Sequence, residues 1–72
     1  MINAKYKVGD KFRDVEGGSV YITTILDIIK ELDSDGCVNY VVKIEHSDFG
    51  ESEHYFSCTC ERVLGFEELI ED

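Results

Sequence analysis

One stretch constrains this chain more than any other: Val20-Tyr21-Ile22-Thr23-Thr24-Ile25-Leu26-Asp27-Ile28-Ile29-Lys30-Glu31-Leu32, its longest apolar run. The run fits two templates. At a helical period, Ile22, Ile25, Leu26, Ile29 and Leu32 share a face. As a strand, Val20, Ile22, Leu26, Ile28 and Leu32 share one side, and Tyr21, Ile25 and Ile29 the other. Composition favours the strand, because β-branched side chains lose rotamer freedom in a helix and fit a pleated surface. The flanks agree. Glu16-Gly17-Gly18-Ser19 before it and Asp33-Ser34-Asp35-Gly36 after it are turn sequences. Beyond the second turn, Val38, Tyr40, Val42 and Ile44 alternate with polar or smaller neighbours as a half-buried strand does. A long hairpin is the reading, with a helix across Thr24–Leu32 as the alternative.

At 72 residues the chain makes one small domain, 1–72. A domain of this size buries only about 60% of its unfolded surface. Its core is thin, and partner binding or self-association supplements it. There is no apolar run of transmembrane length and no basic segment leading an apolar one, so a cytoplasmic chain with no membrane contact is expected. Three cysteines make an odd set, which points to reduced thiols rather than a disulfide framework.

The formal net charge is −9, unevenly spread. Lys5, Lys7, Lys11 and Arg13 stand against Asp10 in the first thirteen residues. From Glu45 on, nine acids stand against Arg62. Such a chain repels phosphate backbones, which argues against direct nucleic-acid binding. The acidity serves either solubility or a partner with a basic surface.

Along the chain, Gly9-Asp10 marks a turn between Val8 and Phe12, and Asp14–Ser19 reads as a loop with two glycines. His46–Glu53 reads as a polar loop, and His54–Glu61 as a third strand with Phe56, Cys58 and Cys60 on one face. Phe66, Leu69 and Ile70 stand at i, i+3 and i+4, which predicts a closing helical turn entered through Gly65. Short strands with turns at these intervals predict a mainly β fold: a small barrel or rolled antiparallel sheet with a short C-terminal helical turn. Closure would remove the unpaired edges.

The opening Lys7-Val8-Gly9-Asp10-Lys11-Phe12 resembles the first strand and turn of small SH3-like barrels. The order of that segment, a Gly-rich loop, VYITTI, a turn, YVVKI, YFS and a terminal ELI resembles small accessory proteins encoded by bacteriophages and mobile elements. The resemblance implies an SH3-like fold and leaves activity open, because such barrels host many functions. Two features depart from it. Ser57–Arg62 lengthens the last strand, and without Trp or Pro there is no aromatic groove for proline-rich peptides.

Three groups of residues carry candidate chemistry. Cys58-x-Cys60 places two thiols on one strand face, their Cα atoms about 6.6 Å apart, with Cys37 as a cross-strand third. Structural zinc wants four ligands, usually in two pairs, so small buried apolar cysteines are the preferred reading and no metal or cofactor is expected. His46 and His54 flank an acidic loop, and either would need Asp48 or Glu53, with Ser57 or Cys58, to form a triad. A barrel this small offers little pocket, so no enzyme is expected. Asp33-x-Asp35-Gly36 resembles the start of a calcium loop but lacks the later bidentate Glu, and reads as a turn.

The expected function is therefore a non-enzymatic acidic protein-interaction module, a phage-type accessory protein or inhibitor acting on a host or defence protein. Its partner-binding residues would be Asp33, Asp35, Asp48, Glu51 and Glu53, with Tyr21, Ile25 and Ile29 as an apolar strip. That strip is either buried by a bend in the strand or exposed as an interface. The alternatives are a structural subunit or small homo-oligomer using the strip, and a metal-binding or thiol protein using Cys37, Cys58 and Cys60.

Overall fold

The computed structural model describes residues 3–48 and 51–70. Five strands form one antiparallel sheet: β1 (Lys11–Glu16), β2 (Ser19–Ile29), β3 (Asn39–Asp48), β4 (Glu51–Cys60) and β5 (Glu68–Ile70), in the order β4-β3-β2-β1-β5. A four-residue helix, α1 (Glu61–Leu64), follows β4. The mainly β architecture and the long hairpin are as the sequence implies. The Thr24–Leu32 segment is strand through Ile29 and not helix.

The sheet is open. It does not close into the barrel that the strand spacing and the SH3-like resemblance imply. The chain crosses from β4 at one edge to β5 at the other through α1, and Leu64, fully buried, fills the concavity that a barrel would close around. The helical turn lies at Glu61–Leu64, earlier than expected. Phe66, read as part of its apolar face, is instead 87% exposed, and Leu69 and Ile70 belong to β5.

Turns fix the register. Gly17 and Gly18 both have positive φ, 56° and 85°, and Glu16 pairs with Ser19. This is the two-residue hairpin turn whose twist suits antiparallel strands, tighter than the loop expected there. At the next turn, Asp33 is the organising group. One carboxylate oxygen accepts from the Asp35 and Cys37 N–H groups, and the other from the Asn39 side chain. Those bonds, Asn39's foremost, hold the Asp33 carboxyl below its ordinary pKa. The turn reading stands, and the carboxylate is spent on it. β3 and β4 then extend to Asp48 and Glu51 through residues read as loop. Backbone pairing such as His46 with Glu53 continues regardless of side-chain polarity.

A bulge shapes the long strand. Ile25 pairs with Val42 and Asp27 with Val41, leaving Leu26 unpaired. One extra residue reverses the strand's facing. Tyr21, Thr23 and Ile25 therefore share the concave face with Ile28 beyond the bulge. Phe12, Ile25, Tyr40 and Val42 form the core with Val38 and Leu64, and Ala4, Tyr6, Ile28 and Ile44 pack around it. The Tyr6 ring meets Phe12 edge-on at 4.8 Å. The Tyr40 hydroxyl donates to Glu61 Oε2 at 2.5 Å and accepts from the Tyr6 N–H at 3.3 Å. This bond joins α1 and the N-terminal segment to the middle of the sheet.

Candidate functional site

The N-terminal segment and α1 cover the half of the concave face nearer the Asp33 turn. The other half is an open groove. The strand register builds its floor in rows. One row runs Phe12, Thr23, Ile44, Tyr55, and the next Asp14, Tyr21, His46, Glu53. α1 and the segment after it form a wall with Val63, Phe66 and Glu67. The apolar lining is well exposed: Tyr55 is 50% and Phe66 87% accessible.

The groove is acidic. Asp14 and Glu16 project from β1 on the parity of Phe12, and Glu67 reaches in from the wall to accept a hydrogen bond from the Thr23 hydroxyl at 3.4 Å. Burial and the negative Asp14 raise the Glu67 pKa, and the Thr23 bond only partly offsets them. Both ion pairs among the described residues lie elsewhere, Lys43 with Glu45 and Arg62 with Asp35. So the groove combines uncompensated carboxylates with an aromatic floor. Tyr21 and His46 stack across the strands at 4.6 Å with a 10° interplanar angle, and His46 Nε2 is buried without a hydrogen-bond partner among the described residues. The hollow at the other end of the sheet, lined by Lys5, Cys37, Glu61 and Arg62, differs. Its charges are engaged: Glu61 by Tyr40 and the Lys5 N–H, Arg62 by Asp35.

The residues singled out from sequence disperse. Asp33 and Asp35 sit at one end of the hairpin, with Asp33 bound into its turn. Asp48, Glu51 and Glu53 lie at the other end, nine rungs along β3, about 30 Å away. Glu51 and Glu53 are exposed, and Glu53 extends the groove's acidic row. Asp48 ends β3, while Phe49 and Gly50 lie outside the described residues. The strip of Tyr21, Ile25 and Ile29 is no strip. Ile25 is 1% exposed in the core, Tyr21 stacks on His46 in the groove, and the bulge turns Ile29 to the convex face.

His46 and His54 occupy opposite faces of the sheet, as do His54 and Ser57; His46 pairs with Glu53 on its own face, but Ser57 lies four rungs further along β4, about 13 Å away, beyond hydrogen-bond reach. Cys37, Cys58 and Cys60 are free thiols. Cys58 is exposed rather than buried, because β4 is an edge with neither face covered, and Phe56 beside it is 66% exposed. Among the described residues no three His, Cys, Asp or Glu side chains are disposed to hold a metal ion.

Asp14, Glu16, Tyr55, Val63, Phe66 and Glu67 line the groove without being among the site residues expected from sequence. The available signal was the alternation Phe12-x-Asp14-x-Glu16, which sends two acids to the same side as a core phenylalanine. No protein-family model, curated protein or solved structure matches the chain.

Proposed function

We propose that this chain is a non-enzymatic protein-interaction module, of the phage accessory or inhibitor type, whose acidic groove receives a basic surface of a protein partner. One observation carries the reading: Asp14, Glu16 and Glu67 gather with no ion-pair partner among the described residues around half-buried Tyr21 and exposed Tyr55 of the floor and exposed Phe66 of the wall. A lysine or arginine entering the groove would lay its aliphatic stem on the rings and bring its charge to the carboxylates. It would also oppose the burial and the Asp14 repulsion that together raise the Glu67 pKa. Glu51 and Glu53 at the rim would steer the approach and act on association rate more than on affinity.

The test is affinity capture from a host lysate with mass spectrometry, using the wild type and Asp14→Lys/Glu16→Lys. A basic protein should be retained at physiological salt and released as ionic strength rises and screening shortens. The double variant should lose it while keeping the strand signal in circular dichroism. Capture indifferent to both salt and charge reversal would overturn the proposal.

A further inference from the structure

The groove leaves β4 itself unexplained. This strand is ten residues long and, among the described residues, pairs only with β3. Its residues from Glu51 to Cys58 are exposed on both faces. Natural sheets blunt such edges with lysine, proline, bulges or brevity. β4 has no lysine and no proline, and its register with β3 is unbroken.

The direction of its free backbone groups follows from one bond. The Glu61 N–H donates to the Val38 carbonyl at 2.9 Å, in line with the β3–β4 register. Antiparallel ladders alternate hydrogen-bonded and non-bonded pairs. The odd-numbered residues of β4 therefore turn their N–H and C=O groups toward β3. Ser52, His54, Phe56, Cys58 and Cys60 turn theirs outward.

We propose that β4 pairs antiparallel with β4 of a second copy of this chain, about a two-fold axis at Phe56, giving one continuous ten-stranded sheet. The backbone and the charges select this occupant and this register. With Phe56 opposite Phe56, Ser52 faces Cys60 and His54 faces Cys58, so all five outward residues find partners. Shifting the axis to Tyr55 would leave Cys60 unmatched within the strand. Antiparallel self-pairing also sets the acidic half of the strand against the uncharged half. Glu53 faces Thr59, and the one carboxylate opposition in this register, Glu51 with Glu61 of the second copy, falls at the ends of the paired segment, where the Glu61 carboxylate is held by the Tyr40 hydroxyl. The even spacing keeps like faces together, so the two exposed Phe56 rings cover each other on the convex side. Tyr55 stays in the groove beside Ser57 of the second copy.

Sedimentation velocity from micromolar to millimolar concentration tests this. A monomer–dimer equilibrium is expected, and it should tighten as salt rises, because each copy carries −9. Phe56→Asp opposes two carboxylates on the axis and should weaken the dimer on the order of 100-fold with an unchanged circular dichroism spectrum. Phe56→Leu should preserve it. The register has its own readout. Residues in a hydrogen-bonded pair have Cα atoms about 5.5 Å apart, within disulfide reach. Ser52→Cys, with Cys37 and Cys58 changed to Ser, should therefore cross-link to Cys60 of the second copy on mild oxidation. Three results would overturn the proposal: a monomer at every concentration and salt, a dimer unmoved by Phe56→Asp, or a dimer that Ser52→Cys does not cross-link. Protection of the β4 amides from hydrogen exchange only when a basic protein is added would assign the edge to that partner and also overturn it. The opposite salt dependence separates this outcome from failure of the groove proposal.

Discussion

Replacing Tyr40 by Phe removes one hydroxyl at the junction of three segments. The ring is fully buried. Its O–H donates to Glu61 in α1, and its oxygen accepts from the Tyr6 N–H. Burial, reinforced by the Glu61 carboxylate, pushes the Tyr40 pKa from 10.0 up to about 12. Two units correspond to about 2.7 kcal/mol between the neutral and ionised forms. A hydrogen bond to a charged group contributes about 1.5–3 kcal/mol by mutational measure, and that bond, not the pKa shift, sets what the hydroxyl is worth at neutral pH. The sign is that of an acid whose folded pKa is raised. Its stabilisation is fully present below pH 10 and is lost as pH climbs through about 12. Urea unfolding at neutral pH should show Tyr40→Phe less stable by about 2 kcal/mol. Between pH 10 and 12 the wild type should lose stability faster than the variant, so the two curves converge. Tyr6, Tyr21 and Tyr55 remain in both proteins and cancel in the difference. Equal midpoints at neutral pH, or parallel alkaline slopes, would refute the idea that this hydroxyl ties α1 and the N-terminal segment to the sheet.

Three further outcomes are expected. Val42→Asp should abolish folding, since it places an unpaired charge at a fully buried position of a thin core. Ile22→Asp should leave a folded chain of lower Tm, because Ile22 lies half-buried on the convex face between Arg13 and Glu45; circular dichroism melts distinguish the pair. Glu67→Gln should raise stability at neutral pH and change little near pH 4. The raised Glu67 pKa means the folded state favours the protonated acid, so wild-type stability falls as pH rises through that pKa and the amide escapes the fall. Chemical denaturation at both pH values measures it, and a destabilised variant at neutral pH would contradict it.

The hairpin was legible because alternation from Val38 to Ile44 and the flanking turn residues are local signals. The long strand was ambiguous for a physical reason. The bulge at Leu26 puts Ile25 and Ile28 on one face three residues apart, a spacing that imitates a helix. The same bulge broke the inference that Tyr21, Ile25 and Ile29 share a surface. The exposure of Cys58 was hidden because apolar alternation marks a strand without telling whether that strand lies at an edge. The groove was hidden more deeply. Asp14 and Glu67 are far apart in sequence and meet only because the chain recrosses the sheet after β4.

That crossing links the fold to both proposed surfaces. Between β4 and β5 lie β3, β2 and β1, four inter-strand gaps of about 4.8 Å each, or roughly 19 Å across a flat sheet. The connector Glu61–Glu67 spans this separation over the concave face, with Leu64 buried at its middle. A chain lying inside the curve occupies the space into which the edges would have to fold, so the sheet stays open. Its wall of Val63, Phe66 and Glu67 then completes a groove that β1 to β4 alone would leave as a plain curved face. Its other consequence is a free outer edge on β4 among the described residues, because β5 is held against Lys11–Arg13 on the far side of β1. The groove and the edge thus arise from one topological choice but answer to different forces. The proposed groove contact would act through unlike charge, which salt weakens, and the proposed edge contact through backbone pairing between like-charged copies, which salt strengthens. Raising ionic strength should therefore move the chain from the partner-bound form toward the self-paired one, so a titration with salt reads both surfaces in a single sample.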